Sequence, residues 1–365
     1  MGPPTYRPDG KTLLAAVTAV AAVYVYFLIF AQFGFLKAVL AMLGEDTRVV
    51  RPVMAVMGLA GIMGSVAAWI LGRPAGRRQL MAGLVICAGA AAWAPAAESA
   101  RAFYAVALLT GLGTGLTTVT LAVMLRRAVG DGRLGLMVGL GTGLAYAFCN
   151  LPAAFEASAT TQARIALLAV AAGMMGGGGL GPRVAAPPRL ERDYSRVGVF
   201  SWVMIFLALV CLDSAAFFII QHTPALKDMM WSGGSQLWLN AGVHLGVAAL
   251  AGWAFDRRWL GRVVGLGAAL LLLAGLMIHG AYSGAAGLFY VAGVSVYSTA
   301  LVFYPASGGR AGLAALIFAV AGWAGSGLGI GLAEGRNHLP AGLVVGAGVV
   351  LAIALWGRGL ASRRE

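Results

Sequence analysis

The chain has 365 residues, 60% of them apolar and only 11% charged, with a mean hydropathy of +0.85. Soluble domains carry about 25% charged residues, so this composition excludes a soluble globular protein and predicts an all-α integral membrane protein with room for about a dozen spans. The net charge of +13 would suit a nucleic-acid partner if it formed one basic face, but it follows the loops of a membrane topology, and no nucleic acid is expected.

Hydropathy predicts spans over 12–36, 50–72, 79–97, 102–125, 134–153, 163–180, 198–221, 235–255, 262–280, 285–305, 311–332 and 340–357. The first run, from about Leu13 to Leu36, outlasts the apolar core of a signal peptide and has no A-x-A-like site closing it. It is read as a retained first helix, and Gln32 in "IFAQFGF" is a polar residue inside it. With both termini cytoplasmic, only Lys37, Arg48, Arg51, Arg101, Arg164, Lys227 and Arg336 fall on the far side, which leaves 19 of the 26 basic residues on the cytoplasmic side. That bias obeys the positive-inside rule. It places the chain in a membrane such as the bacterial inner membrane, with anionic lipid headgroups as partners of the basic loops. Cys87, Cys149 and Cys211 lie in apolar runs without a C-x-x-C pair, so no disulfide framework, metal site or cofactor is expected.

Spans 4 and 5 contain "TGLGTGLTTVT" (Thr110 to Thr120) and "GLMVGLGTGLAYA" (Gly135 to Ala147). A phosphate loop follows a strand and opens a helix beside water, whereas these glycines sit inside membrane-length apolar runs. Gly135, Gly139 and Gly143 recur every four residues, the small-xxx-small pattern of close helix packing. Gly322, Gly325, Gly329 and Gly331 repeat the theme in span 11.

The longest interruption, "GPRVAAPPRLERDYSRVG", falls at mid-chain and predicts a cytoplasmic linker over 181–197 between six-helix units over 1–180 and 198–365. Two further stretches read alike: "AAWILGRPAGRR" from Ala67 and "AGWAFDRRWLGR" from Ala251. Both fall in the cytoplasmic turn after the second span of each unit. They resemble the cytoplasmic signature of the major facilitator superfamily, roughly G-x-x-x-D-[RK]-x-G-[RK]-[RK]. The second copy supplies Gly252, Asp256, Arg257, Gly261 and Arg262, with extra spacing before Gly261; the first keeps Gly76, Arg77 and Arg78 and has Arg73 where the acid belongs. The resemblance implies two related bundles rocking about a midplane site. It also implies a cytoplasmic latch in which Asp256 holds arginines from the other unit, with Arg77, Arg78, Arg126 and Arg127 as the partners to seek.

Inside the spans one acidic residue stands out. Asp213 in "LVCLDSAAFFIIQ" lies past the middle of span 7, where an aspartate costs about 2.5–3.5 kcal/mol to insert, so a cavity or a partner is expected and the group is a candidate proton carrier. Asn240 and His244 in span 8 lie one turn apart on one helix face, at a comparable depth. Tyr290, Tyr297 and Tyr304 form a stripe along span 10, of which Tyr297, near the centre, is the cavity candidate. Asp213, His244, Asn240, Gln32 and Tyr297 together make the expected solute or proton site, unless Asp213 and His244 merely tie span 7 to span 8.

The leading expectation is a secondary transporter of a small solute, coupled to protons through Asp213 and without enzymatic activity, since no nucleophile with a paired base appears. Two alternatives stay open. The chain could be a non-transporting accessory or assembly protein of a respiratory or photosynthetic membrane complex, or, on the strength of Met54, Met57, Met63, Met174, Met175, Met229 and Met230, a copper transporter.

Overall fold

A computed structural model describes residues 8–44, 47–72, 76–181, 194–280 and 285–361, the side chains of 47–49 and 359–361 excepted. Among these residues there is no strand. Twelve long helices run in order: α1 (Gly10–Leu43), α2 (Thr47–Ile70), α3 (Gly76–Trp93), α4 (Ala100–Val129), α5 (Leu134–Cys149), α6 (Ala159–Gly179), α7 (Arg196–His222), α8 (Gly234–Asp256), α9 (Leu260–His279), α10 (Ala286–Gly308), α11 (Ala311–Ala333) and α12 (Ala341–Ala361). Each expected span has its helix. Residues 182–193 of the expected linker, and Arg73, lie outside the described residues.

Local chemistry sets the ends. Side-chain oxygens of Asp9, Ser99, Ser158 and Ser195 accept from Thr12, Ala102, Thr161 and Gly198 backbone N–H groups at 2.9–3.3 Å, the N-cap that satisfies an otherwise orphaned donor. Gly309, at φ 61°, takes the left-handed conformation that stops α10.

Ten of the helices are long and apolar enough to cross a membrane by length and composition. The two others depart for visible reasons: α5 has only 16 residues, about 24 Å, because it breaks at Asn150 before the short helix Pro152–Phe155, and α6 ends in the glycine-diluted "GMMGGGG". The chain is an all-α integral membrane protein. Its outer surface carries large exposed apolar side chains such as Leu168, Ile353 and Trp356, as a lipid-facing surface should.

α1 to α6 pack among themselves through α2–α4, α3–α4, α1–α6 and α1–α5, and α7 to α12 through α9–α10, α7–α11, α7–α12 and α8–α10. Between the two sets the principal junctions are α5–α8 and α2–α11. Shifting the helix number by six turns each junction into the other, which is the pairing of two similar bundles about a twofold axis.

Two helices are locally underwound out of the α form. Tyr26–Gly34 within α1 and Ile317–Ala324 within α11 are π-helical, a geometry concentrated at functional sites. The two segments meet where the Phe27 ring lies edge-on to the Trp323 indole, centroids 6.0 Å apart.

Candidate functional site

A cavity of about 370 Å³ lies between the two sets of helices. α1, α2, α4, α5, α7, α8, α10 and α11 all line it, and α3, α6, α9 and α12 stay outside. Both π-helical segments face it, the first with Phe27, Ala31, Gln32 and Phe33, the second with Phe318, Gly322 and Trp323.

Four of the five residues expected at the site line this cavity: Asp213, His244, Gln32 and Tyr297. The Asp213 carboxylate accepts from two phenols of α10, Tyr290 Oη on Oδ1 and Tyr297 Oη on Oδ2. The seven-residue spacing of those tyrosines puts them two turns apart on one face, so one carboxylate is reached by both. The bonds of Asp213 therefore tie α7 to α10, and the alternative of a direct tie to His244 is not what forms. His244 Nδ1 lies 2.8 Å from Ser295 Oγ. The Ser295 proton is committed to Val291 O at 2.7 Å, so Nδ1 carries the hydrogen and donates. The imidazole stacks on Tyr146 of α5, centroids 4.7 Å apart and planes 25° apart, which brings the two sets of helices together at mid-depth.

Asn240 is a correction. It is fully buried, its Nδ2 donates to Met230 O at 3.0 Å and its Oδ1 accepts from Gln236 Nε2 at 3.1 Å. It does not line the cavity. Its amide pins the short helix Pro224–Trp231, whose Trp231 Nε1 donates across to Asn150 Oδ1 at 3.0 Å.

Sequence reasoning missed two groups. Tyr290 shares the stripe of Tyr297 and lines the cavity beside it, although only Tyr297 is expected there from the sequence. Lys37 was assigned to a loop, but α1 continues to Leu43, and the "KAVLAML" that follows Leu36 is apolar enough to have said so. Lys37 lines the cavity rim, its Nζ donating to Phe155 O at 3.2 Å and Ala157 O at 3.1 Å. Of the methionines singled out, only Met54 and Met57 reach the cavity, while Met63 is 59% and Met175 73% exposed on the outer surface.

At the end of the molecule bearing the two repeated stretches, the junctions are shut. Gly252 and Gly135 oppose each other so closely that a Cβ on either would overlap the other's carbonyl oxygen, and Gly139 faces Ala248 in the same way. The glycine stripe of α5 is thus a packing seam against α8. Among the described residues Asp256 does not hold an arginine. Its Oδ1 and Oδ2 accept from the backbone N–H groups of Gly135 and Leu136 at 2.7 and 2.9 Å. An aspartate at the last position of α8 opposes that helix's own dipole. The free N-terminus of α5, which has no side-chain cap of its own, supplies the donors and the positive dipole end instead.

The arginines expected as its partners are placed otherwise. Arg126, 4% exposed, bonds Asp131 through Nε at 2.9 Å; Arg77, Arg78, Arg127 and Arg262 are exposed; and Arg257 lies over its own helix's Trp253, 3.5 Å from the ring centroid. Gly76 faces Met124. Gly261 leaves the space filled by the Arg358 guanidinium, which sits over Trp202.

No protein-family model matches the sequence, and no curated protein matches it. Solved structures do. A human organic anion transporter (MFSD10, TETRAN) is similar with a TM-score of 0.68 at 13% identity, over 97% of this chain and 100% of that one. A bacterial homologue of the iron transporter ferroportin, in an outward-facing state, is similar at 0.66 and 13%, over 97% and 99%. The major facilitator proton:xylose symporter XylE, bound to 6-bromo-6-deoxy-D-glucose, is similar at 0.60 and 14%, over 96% and 93%. At such identities the likeness is one of architecture, and the architecture is the major facilitator fold.

Proposed function

We propose that this chain is a secondary transporter that carries a small solute across a membrane by alternating access, with residues 1–180 and 198–365 as its two rocking units. The observation that carries the reading is the lone carboxylate of Asp213, set in a cavity between the units and opposite an end shut by Asp256 and the glycine seam. A group open to one side and closed off from the other is what alternating access requires. With the basic loops on the cytoplasmic side of a bacterial inner membrane, the shut end is cytoplasmic and this conformation is the outward one. Asp213 lining a cavity and only partly buried supports transport over an accessory role.

Asp213 is the proton-coupling group in this reading: exchanging a proton for the solute at one carboxylate links the two fluxes. The test is uptake into proteoliposomes under an imposed pH gradient, with a broad solute panel, by the wild type and Asp213→Asn. The variant is expected to fold and to lose pH-driven uptake. Uptake that keeps the same pH dependence in the variant would remove Asp213 from the mechanism, and an absence of uptake of any solute would favour the accessory role.

A further inference from the structure

The chemistry of the cavity wall selects a class of solute. Twelve of its 36 lining residues are Phe, Tyr or Trp, a third of the wall against 9% of the chain. Only two carry a full charge, Asp213 and Lys37. The lysine is at the rim, already donating to two carbonyl oxygens. Deeper in, Asp213 is held by neutral phenols and has no cationic partner among the described residues.

Each Asp213 oxygen accepts one tyrosine proton and keeps a further acceptor lone pair. Tyr24 and Tyr146 line the same cavity, and Tyr290 and Tyr297 turn their hydroxyls to the carboxylate. Aromatic faces attract a cation through their quadrupole, and a negative charge without a counter-ion in a low-dielectric pocket is the strongest available attraction for one. The remaining wall mixes aliphatic side chains with neutral polar groups such as Gln32, Thr118, Asn150 and Gln221, and the volume lies in the range of about 300–1,000 Å³ typical of small-ligand sites.

Resting on the transport reading above, we propose that the solute is an organic monocation with an apolar, aromatic-sized body, its ammonium seated between Asp213 and the tyrosine faces. A quaternary ammonium satisfies the site as well as a protonated amine does, because it leaves both tyrosine hydrogen bonds to Asp213 intact. A sugar-like solute could use the amides and hydroxyls of the wall but would leave the charge of Asp213 unbalanced. An organic anion would find one remaining Lys37 N–H at the rim and would meet Asp213 as a like charge.

The test is calorimetric titration of the full chain in detergent with three probes on one skeleton: phenethyl-trimethylammonium, its uncharged isostere with carbon in place of nitrogen, and a carboxylate of matched size. The ammonium is expected to bind at least tenfold more tightly than the isostere, with the carboxylate weakest, and Asp213→Asn is expected to reduce the ammonium to the affinity of the isostere. Equal binding of ammonium and isostere, tighter binding of the carboxylate, or binding of none of the three overturns the proposal. The wild-type ranking decides it even if the variant is poorly folded. Spin-label distances across the Asp256 end separate this outcome from that of the transport reading. An end that opens and shuts without any preference for the ammonium removes the cation site alone, whereas ammonium binding with an end that never moves removes transport and leaves the site.

Discussion

Removing Asp256 should release the shut end. Its two carboxylate oxygens accept from the Gly135 and Leu136 N–H groups at 2.7 and 2.9 Å, across the α5–α8 junction. Hydrogen bonds to a charged group contribute about 1.5–3 kcal/mol each. Taking the lower figure for a half-buried site gives about 3 kcal/mol, less about 0.5 kcal/mol regained because α8 no longer ends on a negative charge. Asp256→Ala should therefore weaken the shut conformation by about 2.5 kcal/mol, roughly a 70-fold shift in the balance between the two conformations. Asn keeps one acceptor oxygen and no charge, so Asp256→Asn should lie between. The assay is a distance measurement between spin labels at Arg127→Cys, at the end of α4, and Arg310→Cys, at the start of α11, both exposed. The native cysteines are buried and stay unlabelled. The alanine variant should show a longer-distance population absent from the wild type, with the asparagine variant graded between. Identical distance distributions in all three proteins, together with unchanged thermal stability, would refute the assignment of Asp256 as the latch.

The seam itself gives a matched pair. Gly252→Ala places a Cβ against the Gly135 carbonyl and 3.1 Å from Gly139 Cα, so it should open the same end in the same spin-label assay. Gly242→Ala, in the same helix with nothing within 4 Å, should instead stabilise the protein by up to about 1 kcal/mol in a thermal scan. Asn240→Ala loses the bond to Met230 O and should cost about 1–3 kcal/mol of stability while leaving the pH dependence of uptake unchanged. Arg258, at φ 65°, holds a left-handed conformation worth about 1–2 kcal/mol of strain in a residue with a Cβ; Arg258→Gly should raise the melting temperature.

The number and order of the helices were legible because membrane insertion leaves a strong imprint: a run of about 20 apolar residues has few other uses. The charge bias of the loops and the paired motifs added the six-and-six arrangement. Boundaries were weaker where the apolar run gave no stop, as at Lys37, a single charge inside a helix that continues. Asp213 was legible as an anomaly of cost, since a carboxylate in a span demands an explanation. Its partners were not, because contacts between α7 and α10 depend on how helices far apart in sequence are rotated against each other. Asn240 misled for a related reason: sharing a face with His244 says nothing about which neighbour that face meets, and a fully buried amide with two hydrogen bonds is a structural fastener. The expected latch at Asp256 has its partners in backbone N–H groups of α5, where arginines were the partners sought. Backbone N–H groups carry no sequence signature, although the lack of a Ser, Thr, Asp or Asn cap ahead of α5 was a visible sign that its donors needed an acceptor from elsewhere.

A common device underlies the two carboxylates. The chain has twice as many basic residues as acidic ones, 26 against 13, yet neither Asp213 nor Asp256 has a basic side chain as its hydrogen-bond donor. Phenols hold the first and a helix N-terminus holds the second. A carboxylate locked to an arginine is strongly destabilised when the pair is pulled apart inside a membrane, because each charge is left alone. Neutral donors avoid that penalty. If the end opens as the transport reading proposes, Asp256 would release α5 and be rehydrated by the water that enters, without stranding a cation. Asp213 keeps its geometry from Tyr290 and Tyr297 and leaves the balancing of its charge to whatever enters the cavity, a proton or a cationic solute. On the transport reading proposed above, conformational change at one carboxylate and charge exchange at the other become separable events, and α5, which carries both the donors to Asp256 and the Tyr146 ring stacked on His244, would be the element that physically joins them.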